Sequence, residues 1–230
     1  MGVFVAIEGG DGSGKATQAL ELETRALARG YNVLHVGFPR YGEPSARFIE
    51  HYLNGQYGSA NSVHPELASM LYAVDRYAAS EKIRHHLRKR HSLVISDRYV
   101  ASNLAHQGTK FRDKKERLEF YERIIELEYD ILGLPRPDLN IVLLVPPTVA
   151  QTNIDQKPTR SYTVAKRDIH EEDTDHLEKA NANYRELTKL YPDRFAPVSC
   201  MKPGSQTMRS VADIGDDIWN TVLPLLHDRA

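Results

Sequence analysis

The chain has 230 residues, of which 41% are hydrophobic and 27% are charged, as in an ordinary globular protein with one sizeable α/β core. Its 30 Lys and Arg residues nearly balance its 31 Asp and Glu residues, which argues against a nucleic-acid partner. The single cysteine, Cys200, excludes an intrachain disulfide, and we expect a half-buried structural thiol. We find neither a signal sequence nor a membrane-spanning segment, and therefore expect a cytoplasmic protein with no membrane partner.

Apolar runs alternate with helical patterns along the chain, which is typical of βαβ units. The predicted strands cover residues 3–7, 32–38, 92–96, 139–145 and 195–198. The predicted helices cover residues 17–28, 45–53, 65–90, 114–132, 148–154, 170–190 and 206–226. Residues 155–168 are polar and basic and contain Pro158, so we expect a mobile loop there. The pattern predicts one doubly wound α/β domain over residues 1–230, with a five-stranded parallel sheet flanked by helices.

A glycine-rich segment, GGDGSGK, connects the first predicted strand to the first predicted helix. Glycines let backbone N–H groups surround a phosphate, while the helix N-terminus and Lys15 add positive potential. A glycine-rich turn without a ligand is the alternative, but the strand–loop–helix context favours a P-loop. The predicted ATP-binding residues are Gly10, Asp11, Gly12, Ser13, Gly14, Lys15, Ala16 and Thr17.

The third predicted strand delivers Asp97 and Arg98 to the same edge of the sheet as the P-loop. Asp97 stands in the place of a Walker B carboxylate, close to a metal ion or its waters. Arg98 can bind phosphate oxygens with two N–H groups. An ion pair at the end of a strand is the alternative, and the neighbouring P-loop favours the functional interpretation.

Four motifs follow one another in a fixed order. They are the P-loop with its internal Asp11, the segment FPR ending at Arg40, the segment YAVDR ending at Arg76, and the segment DRYVASNLAHQ ending at Gln107. In this order they resemble the thymidylate kinase family. The resemblance continues with Pro137-Asp138, the basic loop and the segment DIHEED at residues 168–173.

This resemblance implies ATP-dependent phosphorylation of dTMP to dTDP in dTTP biosynthesis, with Mg²⁺ as cofactor. It also implies a homodimer, for which the predicted helices 65–90 and 114–132 offer a face. Another nucleoside monophosphate or deoxynucleoside kinase is the alternative enzyme. A nucleotide-dependent switch is the alternative from a different class, but the chain lacks a guanine-binding NKxD motif.

The resemblance further implies which residues bind dTMP. Arg40 and Arg98 would hold its phosphate, Tyr72 would stack on thymine, and Arg76 would meet the base at O4. His106 stands where the family often has tyrosine beside the sugar, which leaves ribose discrimination open. The implied substrate-binding residues are Asp11, Phe38, Arg40, Tyr41, Tyr72, Arg76, Arg98, Ser102, Asn103, His106, Gln107 and His170. Taken alone, Tyr72 also fits a core aromatic and Asn103 a helix-start residue.

The basic segment 155–168 resembles the family's lid. Since the P-loop has Ser13 rather than arginine, the lid would supply the catalytic cation from Lys157, Arg160, Lys166 or Arg167. The implied catalytic residues are Lys15, Arg98, Asp11, Arg160 and Arg167. Ala16 stands where a P-loop usually places a metal-binding hydroxyl, and Thr17 is rotated about 100° around the helix. We therefore expect Mg²⁺ to be held largely through waters, with Asp11, Asp97 and Glu171 as metal-site residues.

Overall fold

The computed structural model describes residues 1–60, 62–155, 174–205 and 207–229. The strands are β1 (Val3–Gly9), β2 (Asn32–Gly37), β3 (Ser92–Asp97), β4 (Leu139–Leu144) and β5 (Phe195–Ser199). The helices are α1 (Lys15–Leu27), α2 (Arg47–Leu53), α3 (Pro65–Leu87), α4 (Val100–Gln107), α5 (Lys114–Ile125), α6 (Pro147–Asp155), α7 (Thr174–Leu190) and α8 (Val211–His227). A π-helix, Glu126–Ile131, continues α5.

The sheet is parallel throughout and has the strand order β2-β3-β1-β4-β5. Every residue of the central strand β1 is buried, because helices cover both faces of the sheet. Phe4 and Ala6 contribute to the hydrophobic cluster on one face. Val3, Val5 and Ile7 contribute to the cluster on the other face. This arrangement confirms the predicted five-stranded, doubly wound α/β fold.

The parallel register brings the carboxyl ends of three strands to one edge. Ile7 and Gly37 are both paired with Asp97, so the segments that follow β1, β2 and β3 emerge side by side. The P-loop follows β1, Phe38 follows β2, and Arg98 follows β3. Topology therefore assembles the predicted site at the edge where ligands bind in such sheets.

The predicted strands agree with the observed ones to within two residues at each end. The predicted start of the last helix at residue 206 is wrong, because α8 begins at Val211. The Ser210 hydroxyl caps it by accepting from the Asp213 N–H group at 3.1 Å. An isolated antiparallel bridge between Met201 and Met208 occupies the preceding segment instead.

Two predicted helices also change character along their length. The predicted helix 45–53 starts with a 3₁₀ turn, Pro44–Ala46, before α2 begins. The predicted helix 114–132 becomes the π-helix after Ile125. The predicted lid at 155–168 lies outside the described residues, apart from Asp155 at the end of α6.

Cys200 is completely buried rather than half-buried. Burial raises the pKa of its thiol to about 11, and a protonated, inaccessible thiol is chemically inert. The structural interpretation of Cys200 is therefore supported. Among the described residues, no helix combines the length and the apolar character needed to cross a bilayer.

Candidate active site

A cavity of about 440 Å³ opens at the carboxyl edge of the sheet. Most of the predicted site residues line it, namely Asp11, Gly14, Lys15, Ala16, Thr17, Phe38, Tyr41, Tyr72, Arg76, Asp97, Arg98, Ser102, Asn103, His106 and Gln107. Gly37, Pro39 and Leu53 also line it and were not predicted. These three carry no polar side chain, so none was marked as a ligand-binding residue, although Pro39 belongs to the FPR segment.

The P-loop is held against α6 and turns sharply into α1. Gly12 and Gly14 have positive φ values of 77° and 90°, in the region that glycine occupies most readily. Asn153 of α6 donates to the Gly12 carbonyl oxygen at 2.8 Å. The Lys15 ammonium group donates to the Gly10 carbonyl oxygen at 2.8 Å and lies 4.0 Å from Asp11. The loop is therefore formed around its lysine and the first N–H groups of α1.

Arg98 occupies a strained backbone position directly above the central strands. Its φ of 67° is unusual for a residue other than glycine, and its N–H group donates to the Ile7 carbonyl oxygen at 3.0 Å. Its Nη2 donates to the Asp11 carboxylate, and its Nη1 lies 3.3 Å from both Ser102 Oγ and His106 Nε2. Burial alone would lower the pKa of Arg98, but the Asp11 charge raises it well above the ordinary value. Arg98 is therefore a fixed positive charge.

A buried carboxylate that no sequence motif marked lies close to Arg98. Glu8 of β1 is fully buried and accepts from the Tyr99 N–H group at 2.7 Å, Ser102 Oγ at 2.7 Å and Tyr184 Oη at 3.0 Å. Burial raises the pKa of Glu8, while these hydrogen bonds and the Arg98 charge oppose the rise. A lone charge inside an otherwise apolar strand was the signal that could have identified it.

Asp97 brings an unsatisfied acceptor to the cavity. Its Oδ1 atom is buried and has no hydrogen-bond partner among the described residues, although the side chain lines the cavity. A buried oxygen of this kind is rare unless a ligand, an ion or water satisfies it. Ser13 Oγ is also buried and has no partner in the described part of the chain, but Ser13 does not line the cavity.

A second group of lining residues carries amide and guanidinium groups. Arg76 is fully buried, and its Nε and Nη2 donate to Glu128 at 2.5 and 2.6 Å. Asn103 Nδ2 donates to Glu128 at 2.8 Å and to the Ser69 carbonyl oxygen at 3.1 Å. Gln107 Oε1 is buried without a partner in the described part of the chain. Glu128 was missed because nothing in its local sequence distinguishes it from a surface helix residue.

The cations beside the P-loop and this group of amide and guanidinium side chains thus line one cavity. Comparison with known proteins is consistent with this geometry, since the family model for thymidylate kinase matches residues 7–211. The chain belongs to the thymidylate kinase family. The predicted resemblance to that family is therefore confirmed.

Individual relatives agree with the family match. The chain is 34% identical over 189 residues to a thymidylate kinase of Mycobacterium tuberculosis, covering 80% of this chain and 85% of the relative. It is 30% identical over 233 residues to the thymidylate kinase of Desulforudis audaxviator, covering 99% and 93%. A solved structure of thymidylate kinase from Candida albicans shares the fold, with a TM-score of 0.70, 22% identity and coverage of 97% of this chain and 92% of that one.

The structure does not place every residue that the thymidylate kinase resemblance implies in the cavity wall. Arg40 is turned toward α3, where its Nε donates to Asp75 at 3.0 Å. Its Nη2 donates to Ser45 Oγ of the 3₁₀ turn at 2.7 Å. Asp75 is almost completely buried, so its carboxylate requires this partner. Gly10, Gly12 and Ser13 shape the P-loop without lining the cavity. The implied residues Lys157, Arg160, Lys166, Arg167, His170 and Glu171 lie outside the described residues.

His106 links the thymidylate kinase site to α7. Its Nδ1 lies 3.1 Å from His176 Nε2, and His176 Nδ1 lies 3.1 Å from Thr109 Oγ1. His176 is buried and was not predicted, because it is distant in sequence from every motif. The position that the family often fills with tyrosine therefore connects Arg98 to α7.

The contact between the P-loop and α6 predicts unequal effects of two alanine substitutions. A Cβ atom on Gly12 would lie 2.1 Å from the Ala150 carbonyl oxygen, whereas one on Gly14 would meet none of the described residues within 4 Å. In both variants, alanine in a left-handed backbone conformation costs about 1–2 kcal/mol of stability. Gly12→Ala should cost about 1–3 kcal/mol more because of the clash.

Urea unfolding of the two nucleotide-free variants measures this difference and leaves ligand contacts out of the comparison. Gly14→Ala is the matched control, since it carries the strain without the clash. Equal free energies of unfolding for the two variants would show that α6 does not hold the loop as described.

Proposed function

We propose that this chain transfers the γ-phosphoryl group of ATP to the 5′-phosphate of dTMP, giving dTDP. The observation that carries this proposal is one cavity lined by both cationic and base-complementary side chains, to which we assign a phosphate end and a base end. Lys15 and Arg98 supply positive charge at one end, while Arg76, Asn103 and Gln107 supply hydrogen-bonding groups at the other. A nucleoside monophosphate needs both ends at once.

The base end favours thymine over cytosine. Arg76 is a donor only, so it suits the O4 acceptor of thymine and opposes the N4 amino group of cytosine. Gln107 adds a second amide to this end, and its buried Oε1 atom has no partner among the described residues. Tyr72 provides an aromatic wall, which stacks on a planar base without distinguishing one pyrimidine from another.

The phosphate end acts by placing charge rather than by removing a proton. The acceptor oxygen of dTMP is already anionic, so the reaction needs no strong general base. Lys15 and Arg98 bind phosphoryl oxygens and stabilise the charge of the transition state. Asp11 fixes the Arg98 guanidinium before substrate arrives, and Arg160 or Arg167 of the lid supplies the further cation.

The carboxylates of the site fit Mg²⁺ held largely through water. Asp97 Oδ1, which has no partner among the described residues, offers an oxygen ligand, whereas the Ala16 side chain offers none. Asp11 is already paired with Arg98, so its share in metal binding, like that of Glu171, is through waters. Among the described residues no three His, Cys, Asp or Glu side chains form a metal cluster. Bound Mg²⁺ would neutralise phosphate charge.

A coupled assay for ADP release with dTMP, dUMP, dCMP, AMP and thymidine as acceptors tests the proposed function. We expect dTMP to be the best acceptor, with dCMP roughly tenfold to a hundredfold worse, because a donor would face a donor. Turnover should cease when EDTA removes divalent cations. Lys15→Ala should nearly abolish turnover, because it removes transition-state charge without disturbing the core.

Thermal unfolding of Lys15→Ala provides the control for its folding. Equal specificity constants for dTMP and dCMP would contradict the assignment of the base end. Near-normal turnover by a folded Lys15→Ala variant, or undiminished turnover in EDTA, would contradict the assignment of the phosphate end.

The homodimer is proposed on the outer face of α3. Four large apolar side chains, Leu67, Met70, Val74 and Tyr77, are each between 50% and 54% exposed. Their spacing of three and four residues places them in one row on the 23-residue helix. A second copy of the chain offers the same row, as a two-fold interface requires. The predicted helix 114–132 contributes one strongly exposed apolar residue, Ile131.

Val74→Glu should convert the dimer to a monomer, because two like charges would meet near the centre of the apolar row. Light scattering coupled to size-exclusion chromatography measures the mass. Leu20→Glu is the matched control, since Leu20 on α1 is 58% exposed outside this row, and it should leave the dimer intact. A wild-type monomer, or a dimer that survives Val74→Glu, would contradict the proposal.

A further inference from the structure

Glu128 is a completely buried carboxylate beside the base end of the cavity. It lies in the π-helix Glu126–Ile131. The Leu132 N–H group donates to the Leu127 carbonyl oxygen at 2.9 Å, the wide i→i+5 bond of that helix, and the Leu134 N–H group donates to the Glu128 carbonyl oxygen at 2.9 Å. Wide turns of this kind are frequent at functional sites. Here the turn places a charged side chain where only hydrogen-bonding partners can compensate its burial.

Both oxygens of Glu128 bind Arg76. The Nε and Nη2 bonds of 2.5 and 2.6 Å form a two-point contact, which fixes the plane of the guanidinium group as well as its position. The remaining Nη1 lies 3.5 Å from the Tyr99 carbonyl oxygen, a distance at the limit of a hydrogen bond. Glu128 therefore determines which N–H groups of Arg76 are left to bind a ligand.

Glu128 also determines the orientation of the Asn103 amide. Both hydrogens of Asn103 Nδ2 are used, one by Glu128 Oε1 at 2.8 Å and one by the Ser69 carbonyl oxygen at 3.1 Å. A carboxylate accepts only, so the amide cannot reverse without losing this bond. The Oδ1 acceptor is consequently the part of Asn103 left to a ligand in the cavity.

We propose that Glu128 is the positioning residue that sets the hydrogen-bonding polarity of the base site. It makes Arg76 present a donor and Asn103 present an acceptor. This pair complements the O4 acceptor and N3–H donor of thymine or uracil, and opposes the N4 donor and N3 acceptor of cytosine. The inference rests on the proposed binding of the base at this end of the cavity.

Glu128→Gln tests the proposal, since glutamine preserves the shape but replaces one acceptor with a donor. The Asn103 amide can then reverse and one Arg76 bond is lost. We expect the specificity constant for dTMP to fall about tenfold to a hundredfold, with that for dCMP unchanged or raised. The ratio of the two constants should fall at least tenfold, and the KM for ATP should not change.

Glu186→Gln is the matched control. Glu186 forms a similar two-point contact with Arg117, at 3.0 and 3.3 Å, and neither residue lines the cavity. Its loss should lower stability while leaving the ratio of dTMP to dCMP unchanged. The proposal is overturned if Glu186→Gln lowers the ratio of dTMP to dCMP specificity constants as much as Glu128→Gln does. It is also overturned if Glu128→Gln lowers both specificity constants by the same factor.

Glu128→Asp provides a second variant if glutamine prevents folding. Aspartate keeps both acceptors on a shorter stem, so the Asn103 orientation should persist. We expect weaker binding of dTMP with most of the selectivity against dCMP retained. Loss of that selectivity in a folded Glu128→Asp variant would contradict the proposal.

Calorimetric titration with dTMP and dCMP in the absence of ATP separates the inference from the proposed reaction. If the ratio of the dTMP affinity to the dCMP affinity falls in Glu128→Gln, the polarity argument is supported even if the wild-type chain does not phosphorylate dTMP. Conversely, dTMP turnover by the wild type with an unchanged binding ratio in the variant supports the reaction and overturns the inference.

Discussion

The site depends on a guanidinium group held in place at the end of a central strand. Arg98 adopts a left-handed backbone conformation. Its backbone N–H group donates to the Ile7 carbonyl oxygen, and its guanidinium group donates to Asp11. Such a position is costly for a residue with a Cβ atom, and the surrounding bonds must maintain it. Because Glu8 anchors the adjacent Tyr99 N–H group and Ser102, strand β1 fixes both the P-loop and the arginine that faces it.

The same principle operates at the other end of the cavity. Arg76 and Arg98 each pair with a carboxylate, Glu128 and Asp11 respectively. Removing Glu128 would leave the buried Arg76 charge without its partner, and removing Asp11 would do the same to the partly buried Arg98. Either loss is more costly than that of an exposed ion pair. The pairing also orients each guanidinium before a ligand binds, so less ordering is required on binding. The guanidinium group at each end of the cavity is thus oriented by its own carboxylate.

The fold and the phosphate end could be predicted because their signals are local. An apolar strand, a glycine-rich turn and a helix start are adjacent in the sequence, and parallel topology brings the ends of β1 and β3 together. Glu8 and Glu128 could not be assigned in this way. Glu8 meets Tyr184 across 176 residues and Glu128 meets Arg76 across 52, so only tertiary packing creates these contacts. Arg40 illustrates the converse, since its motif was recognised but the buried Asp75 binds its side chain.

The most direct test of a cavity with a separate phosphate end is the affinity of Arg98→Lys for dTMP and for thymidine, measured by calorimetry. Lysine keeps the charge but loses the two-point geometry. The account predicts at least about tenfold weaker binding of dTMP, or about 1.4 kcal/mol, with unchanged binding of thymidine. Equal weakening of both ligands would contradict it, because Arg98 would then shape the whole cavity rather than bind the phosphate.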